Sequence, residues 1–119
     1  MRGIAREPNV SDNESGPWRA LCAVGDVEEG MPRRVVVEGL PPLAVFQLGD
    51  EHFVIADTCT HGQASLSEGF IEGDQIECPW HAGRFCIRDG KAMAAPAVDD
   101  VVSWPARVVD GRICIDPSR

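Results

Sequence analysis

The sequence predicts an all-β domain, and three observations carry that reading. Short runs of β-branched and aromatic residues alternate with turn residues. The turn signals recur roughly every 8–12 residues, the rhythm of a sandwich or small barrel. No segment of ordinary length places apolar residues at a 3.6-residue period. Twelve glycines and nine prolines fit a loop-rich sheet protein.

The elements follow in order. Residues 1–16 read as a flexible N-terminal tail, with Pro8, Asn9, Ser11, Asp12, Asn13, Glu14, Ser15 and Gly16 crowded together. The domain proper is expected over 17–119. Val35-Val36-Val37 is a β-branched run. Residues 43–48 and 52–56 flank Gly49-Asp50, a hairpin signal. Phe70-Ile71 and Gln75-Ile76 flank Glu72-Gly73-Asp74. A strand over 85–88 runs into Asp89-Gly90. Residues 107–109 and 112–115 flank Asp110-Gly111, the strongest short-range hairpin signal in the chain.

Composition narrows the function. A chain of 119 residues fits one domain and can bury a core without disulfides. The formal net charge of -8 argues against nucleic acid and anionic membrane as partners, since both would repel it. No apolar run is long enough to cross a bilayer. Met1 to Gly16 lacks the apolar stretch of a secretory signal, and Arg33-Arg34 lies too deep to be an export signal. The expected compartment is the cytoplasm, where thiols stay reduced. Five cysteines make an odd count for a disulfide framework, so metal binding or core packing must account for them.

Four residues form a pattern with chemistry. Cys59-Thr60-His61 is Cys-x-His, and Cys78-Pro79-Trp80-His81 is Cys-x-x-His. Thiolate and imidazole suit soft and borderline metals. Each pair follows a strand, so two loops side by side could pinch a metal centre between them. Pro79, Gly62 and Gly83 would give those loops their tight turns. Zinc sites with this ligand set usually pair like with like, whereas here each pair mixes one Cys with one His. A 2Fe–2S cluster with two Cys on one iron and two His on the other uses that mixture.

In these motifs the sequence resembles the Rieske proteins, and more closely the Rieske ferredoxins of bacterial aromatic-ring-hydroxylating dioxygenase systems. The resemblance runs from about Trp18 to the C-terminus. It implies a Rieske-type β-sandwich or barrel with a small cluster-binding subdomain at about 57–85. It implies one Rieske-type 2Fe–2S cluster, held by Cys59 and Cys78 on the buried iron and by His61 and His81 on the outer one. It also implies a third, proline-bearing loop over the cluster, with Pro96 as the candidate. The disulfide that respiratory Rieske proteins carry is absent, because its positions here are Ala64 and Trp80. Their serine and tyrosine hydroxyls, which bond cluster sulfurs, correspond to Gly83 and Phe85. Without those donors the expected potential is near the low end of the Rieske range, about -150 mV.

The implied function is that of a one-electron carrier. It would pass electrons from a flavin-dependent ferredoxin reductase to a terminal Rieske oxygenase of an aromatic-ring dioxygenase. The chain is not expected to be an enzyme. Only His52 remains for a mononuclear iron site, and no Gly-rich dinucleotide loop is present. Two other readings stay open: a small Rieske-like subunit of an oxidoreductase such as nitrite reductase, and a zinc-stabilised binding module. Cys22, Cys86 and Cys114 read as core residues, His52 as a strand residue beside a turn, and Trp18 and Trp104 as packing residues. Trp80 reads as a water shield over the cluster. Asp99-Asp100 reads as a solvated loop, and Arg33-Arg34 as a solvated strand end.

Overall fold

The computed structural model describes residues 18–60, 64–80, 83–95, 97 and 99–117. The tail expected over residues 1–16 lies outside them. The described residues form strands, turns and two single-turn 3-10 helices, Val24–Asp26 and Leu66–Glu68. The strands are β1 (Arg19–Ala23), β2 (Arg33–Val35), β3 (Leu43–Leu48), β4 (Glu51–Ala56), β5 (Phe70–Glu72) and β6 (Gln75–Glu77). They continue with β7 (Arg84–Cys86), β8 (Ala92–Ala94), β9 (Ser103–Trp104), β10 (Ala106–Val109) and β11 (Arg112–Ile115).

They assemble into three antiparallel sheets, ordered β1-β11-β10, β2-β3-β4-β9 and β5-β6-β7-β8. The middle sheet explains the arrangement. Leu43, Ala44, Val45 and Phe46 are all fully buried, so β3 is covered on both faces. Strand side chains alternate between faces. Ala44, Phe46 and Ile55 accordingly join one apolar cluster with Ile76, Phe85 and Ile87 of the β5–β8 region. Leu43, Val45 and Val54 join a second cluster with Trp104, Ile113 and Ile115. The register agrees, since Val45 faces Val54 and Ala44 faces Ile55.

The hairpins expected from sequence form, each with the turn its residues favour. Asp110 and Gly111 both have positive φ (52° and 76°), the backbone of a type I′ turn. Asp110 is the one non-glycine with positive φ among the described residues. Gly49 (φ 62°) and Gly73 (φ 63°) each precede an aspartate as the first loop residue of a hairpin, the place a type II′ turn gives to glycine.

Two strands end sooner than expected. The β-branched run stops at Val35, because the Val37 carbonyl accepts the Leu40 N–H to close a turn. The strand expected over 85–88 starts at Arg84 and stops at Cys86. The Ile87 N–H still bonds the Asp74 carbonyl opposite it, but Asp74 already belongs to the β5–β6 turn, and the Cys86 carbonyl accepts the Gly90 N–H as the chain turns back.

The glycines separate two kinds of constraint. A Cβ on Gly111 would meet nothing within 4 Å, so Gly111→Ala should cost only the left-handed backbone penalty, about 1–2 kcal/mol. A Cβ on Gly69 would come within 2.0 Å of the Glu77 carbonyl oxygen. Gly69→Ala must therefore move strand backbone, and thermal unfolding should show it as clearly the more damaging of the two.

Candidate metal centre

The first ligand loop leaves β4 and the second joins β6 to β7, so sheet ends position both. Cys59 and Cys78 are each 1 % exposed and belong to the same apolar cluster, together with Ala64, Leu66, Phe85 and Ala97. His61 and His81, with Gly62, lie outside the described residues, as does Pro96. Among the described residues no group of three or more metal-ligating side chains forms. The structure therefore brings the two cysteines into one cluster, and the two histidines follow them in sequence within the same loops.

Both loops close in the same way. The Cys59 N–H donates to the Ala64 carbonyl (3.0 Å), and the Cys78 N–H donates to the Gly83 carbonyl (2.7 Å), with equal spacing along the chain. Each loop is thus pinched at its cysteine, so a buried thiol sits at the neck of a short loop. Two buried thiols of one cluster, each beside an imidazole in sequence, form a donor set that fits a 2Fe–2S group with mixed ligation.

Charged side chains pin the two necks differently. At the second, Arg84 pairs with Glu72 (2.6 Å) and Glu77 (3.2 Å) on β5 and β6, with all three partly exposed. At the first, the Asp57 carboxylate is buried. Its Oδ2 accepts from Arg34 Nε (3.2 Å) and Ser65 Oγ (2.5 Å), and its Oδ1 accepts from the Ser67 N–H (2.8 Å). Its main chain bonds both ways as well: the Asp57 N–H donates to Pro42, and the Asp57 carbonyl accepts from Leu66. Arg34 is therefore more than the solvated strand end expected from sequence. Asp57 escaped sequence reasoning because an aspartate ahead of a loop looks like any turn residue.

A third segment braces both loops. Thr60 Oγ1 donates to the Asp99 carbonyl (2.7 Å), and Gly83 lies against Ala97. The Asp100 carboxylate accepts the Ala92 N–H (2.8 Å), so this exposed aspartate also holds backbone. Gly83 does not have positive φ. Its role is space, since a Cβ there would lie 3.0 Å from both Cβ and N of Ala97.

Burial pushes the thiols of Cys22, Cys86 and Cys114 up, which keeps them protonated and poor ligands at neutral pH. Trp104 is buried, and Trp18 lies beneath the Arg107 guanidinium (4.8 Å to the ring centre). His52 is half-buried on β4 beside the Gly49-Asp50 turn, and its Nε2 has no hydrogen-bond partner. Trp80, inside the second loop, is 66 % exposed and presents apolar surface there.

The family model of the Rieske [2Fe-2S] domain matches residues 17–105. The 3-phenylpropionate/cinnamic acid dioxygenase ferredoxin subunit of Escherichia coli K12 is 45% identical over 96 residues, covering 80% of this chain and 89% of that protein. Among solved structures, the ferredoxin of Sphingomonas yanoikuyae B1 superposes with a TM-score of 0.80 at 42% identity, covering 82% of this chain and 96% of that one. The chain matched in a complex of reduced oxygenase and oxidised ferredoxin of carbazole 1,9a-dioxygenase gives 0.78 at 40% identity, covering 84% and 93%. A nitrite reductase small subunit from Mycobacterium tuberculosis is more distant, at 26% identity and a TM-score of 0.72 over 82% and 92%. A family model spanning most of the described domain and relatives matched over nearly their whole length lead to one conclusion: this chain belongs to the Rieske [2Fe-2S] domain family.

Proposed function

We propose that the chain is the ferredoxin of an aromatic-ring dioxygenase system. It holds one 2Fe–2S cluster through Cys59, His61, Cys78 and His81. It takes electrons from a flavin-dependent ferredoxin reductase and delivers them to a terminal oxygenase, in the cytoplasm. The observation that supports this best is the pair of buried cysteines in one apolar cluster, each at a neck closed by its own N–H. When bound, the cluster supplies one-electron exchange. The chain's own residues hold it and exclude water from the thiolate side, where Phe85 and Leu66 are fully buried. Trp80 offers exposed apolar surface for a short-lived partner contact.

Protein purified without oxygen should be red-brown and contain about two iron and two acid-labile sulfide per chain. On reduction it should show a Rieske EPR signal. A colourless protein holding a single zinc ion overturns the assignment in favour of a zinc-stabilised module.

Phe85 and Gly83 stand where the resemblance puts hydroxyl donors in high-potential Rieske proteins, and the structure makes them unequal targets. Phe85 is fully buried in the cluster that holds both cysteines. Phe85→Tyr should raise the potential in voltammetry, because a hydrogen bond to sulfur stabilises the added electron. Gly83→Ser presses on Ala97 and should lower stability by about 1–3 kcal/mol, read as a fall in Tm.

The formal net charge of -8 favours a docking patch of opposite sign. Ferredoxin-dependent turnover should therefore slow as salt is raised at fixed pH. Turnover insensitive to ionic strength would rule out electrostatic steering.

A further inference from the structure

We propose that Asp57 and Arg34 form a positioning pair that both fixes the first ligand loop and sets the charge felt at Cys59. The proposal rests on Cys59 being a cluster ligand, as proposed above.

The geometry gives the positioning role. The loop containing Cys59 departs after Asp57 and returns at Ser65, and Thr58 and Ser65 form an isolated β-bridge across its base. The Asp57 carboxylate reaches over that base to the Ser65 hydroxyl and the Ser67 N–H, while its carbonyl accepts the Leu66 N–H. One buried residue thus joins the outgoing strand to three successive residues of the returning segment, two through its carboxylate and one through its carbonyl. Arg34, from β2, bonds the same carboxylate oxygen as Ser65. A buried carboxylate left short of partners is costly, so this set of bonds strongly favours one loop conformation.

The charge role follows from where that carboxylate sits. Asp57 and Cys59 are alternate residues of the bridged segment, and each is 1 % exposed. Adding an electron to a group at Cys59 is disfavoured by a nearby negative charge and favoured by a positive one. The carboxylate is screened little because it is buried, whereas the Arg34 side chain is 51% exposed and more strongly screened. The two charges therefore act in opposite directions, and the carboxylate has the larger effect.

The test is a cycle of variants in the full chain, each loaded with cluster and checked by its iron-to-sulfide ratio. Asp57→Asn should shift the potential up. Arg34→Gln should shift it down by less, and Arg34→Lys, which keeps the charge, should leave it near the parent value. The double variant should fall between the two single ones. Removing the clamp should also speed chelator bleaching of Asp57→Asn, about tenfold or more. Potentials that do not move, or that move the same way in Asp57→Asn and Arg34→Gln, overturn the charge role. Unchanged bleaching overturns the positioning role. If Asp57→Asn does not fold, the Arg34 pair decides: a downward shift in Arg34→Gln absent from Arg34→Lys supports the proposal, and equal potentials sink it. Failure of the parent protein to load a Rieske cluster would instead refute the ligand assignment, which separates the two claims.

Discussion

The fold depends on burying one strand from both sides. β3 carries four consecutive apolar residues, Leu43 to Phe46, with no polar face to turn to water. A strand of that kind is stable only inside three layers. The β1-β11-β10 sheet covers Leu43 and Val45, and the β5–β8 region covers Ala44 and Phe46. The second candidate loop lies within that second covering layer and the first leads into it from β4, so the packing that buries Phe46 and Ile55 is continuous with the packing that buries Cys59 and Cys78. Stability and site construction are the same interaction viewed from two ends.

Within that frame the two ligand loops solve a common problem with different chemistry. Each needs its cysteine buried at a fixed neck, and each secures it with a main-chain hydrogen bond from that cysteine. Around the necks the solutions diverge. The second relies on a partly exposed arginine spanning two strands, and the first on a carboxylate enclosed by an arginine, a serine hydroxyl and a backbone amide. Partly exposed ion pairs contribute little on their own, so the second loop relies more on its sheet and on the close approach of Gly83 to Ala97. The first loop relies on side chains.

Much of this was legible in the sequence. The Cys-x-His and Cys-x-x-His pairs announce themselves because few chemistries use that mixture, and Asp110-Gly111 announces its turn because few residues tolerate the required φ. The strands that could not be read are those defined by partners rather than by pattern. β1 has no clean alternation and exists because β11 pairs with it from the far end of the chain, with a bulge between Ala20 and Cys22. β8 and β9 are too short to show a period. Asp57 and Arg34 were opaque for the same reason: one looks like a turn residue, the other like a solvated cation, and only folding brings them together. In sequence Gly83 looks like a turn glycine, because sequence cannot show that Ala97 occupies the space where a side chain would go.

The position of β11 at the centre of its sheet, between β1 and β10, has a kinetic side. β1 must wait for a strand made after all the other described strands. Until it emerges, Leu43, Val45 and Val54 lack the cover of Ile113 and Ile115, while the segments that carry Cys59 and Cys78 are already made. Pairing between such remote partners is slow to find, because much chain entropy is lost before any contact rewards it. During synthesis, then, the β5–β8 region is made before β11, and the β1-β11-β10 layer closes over Leu43 and Val45 only afterwards.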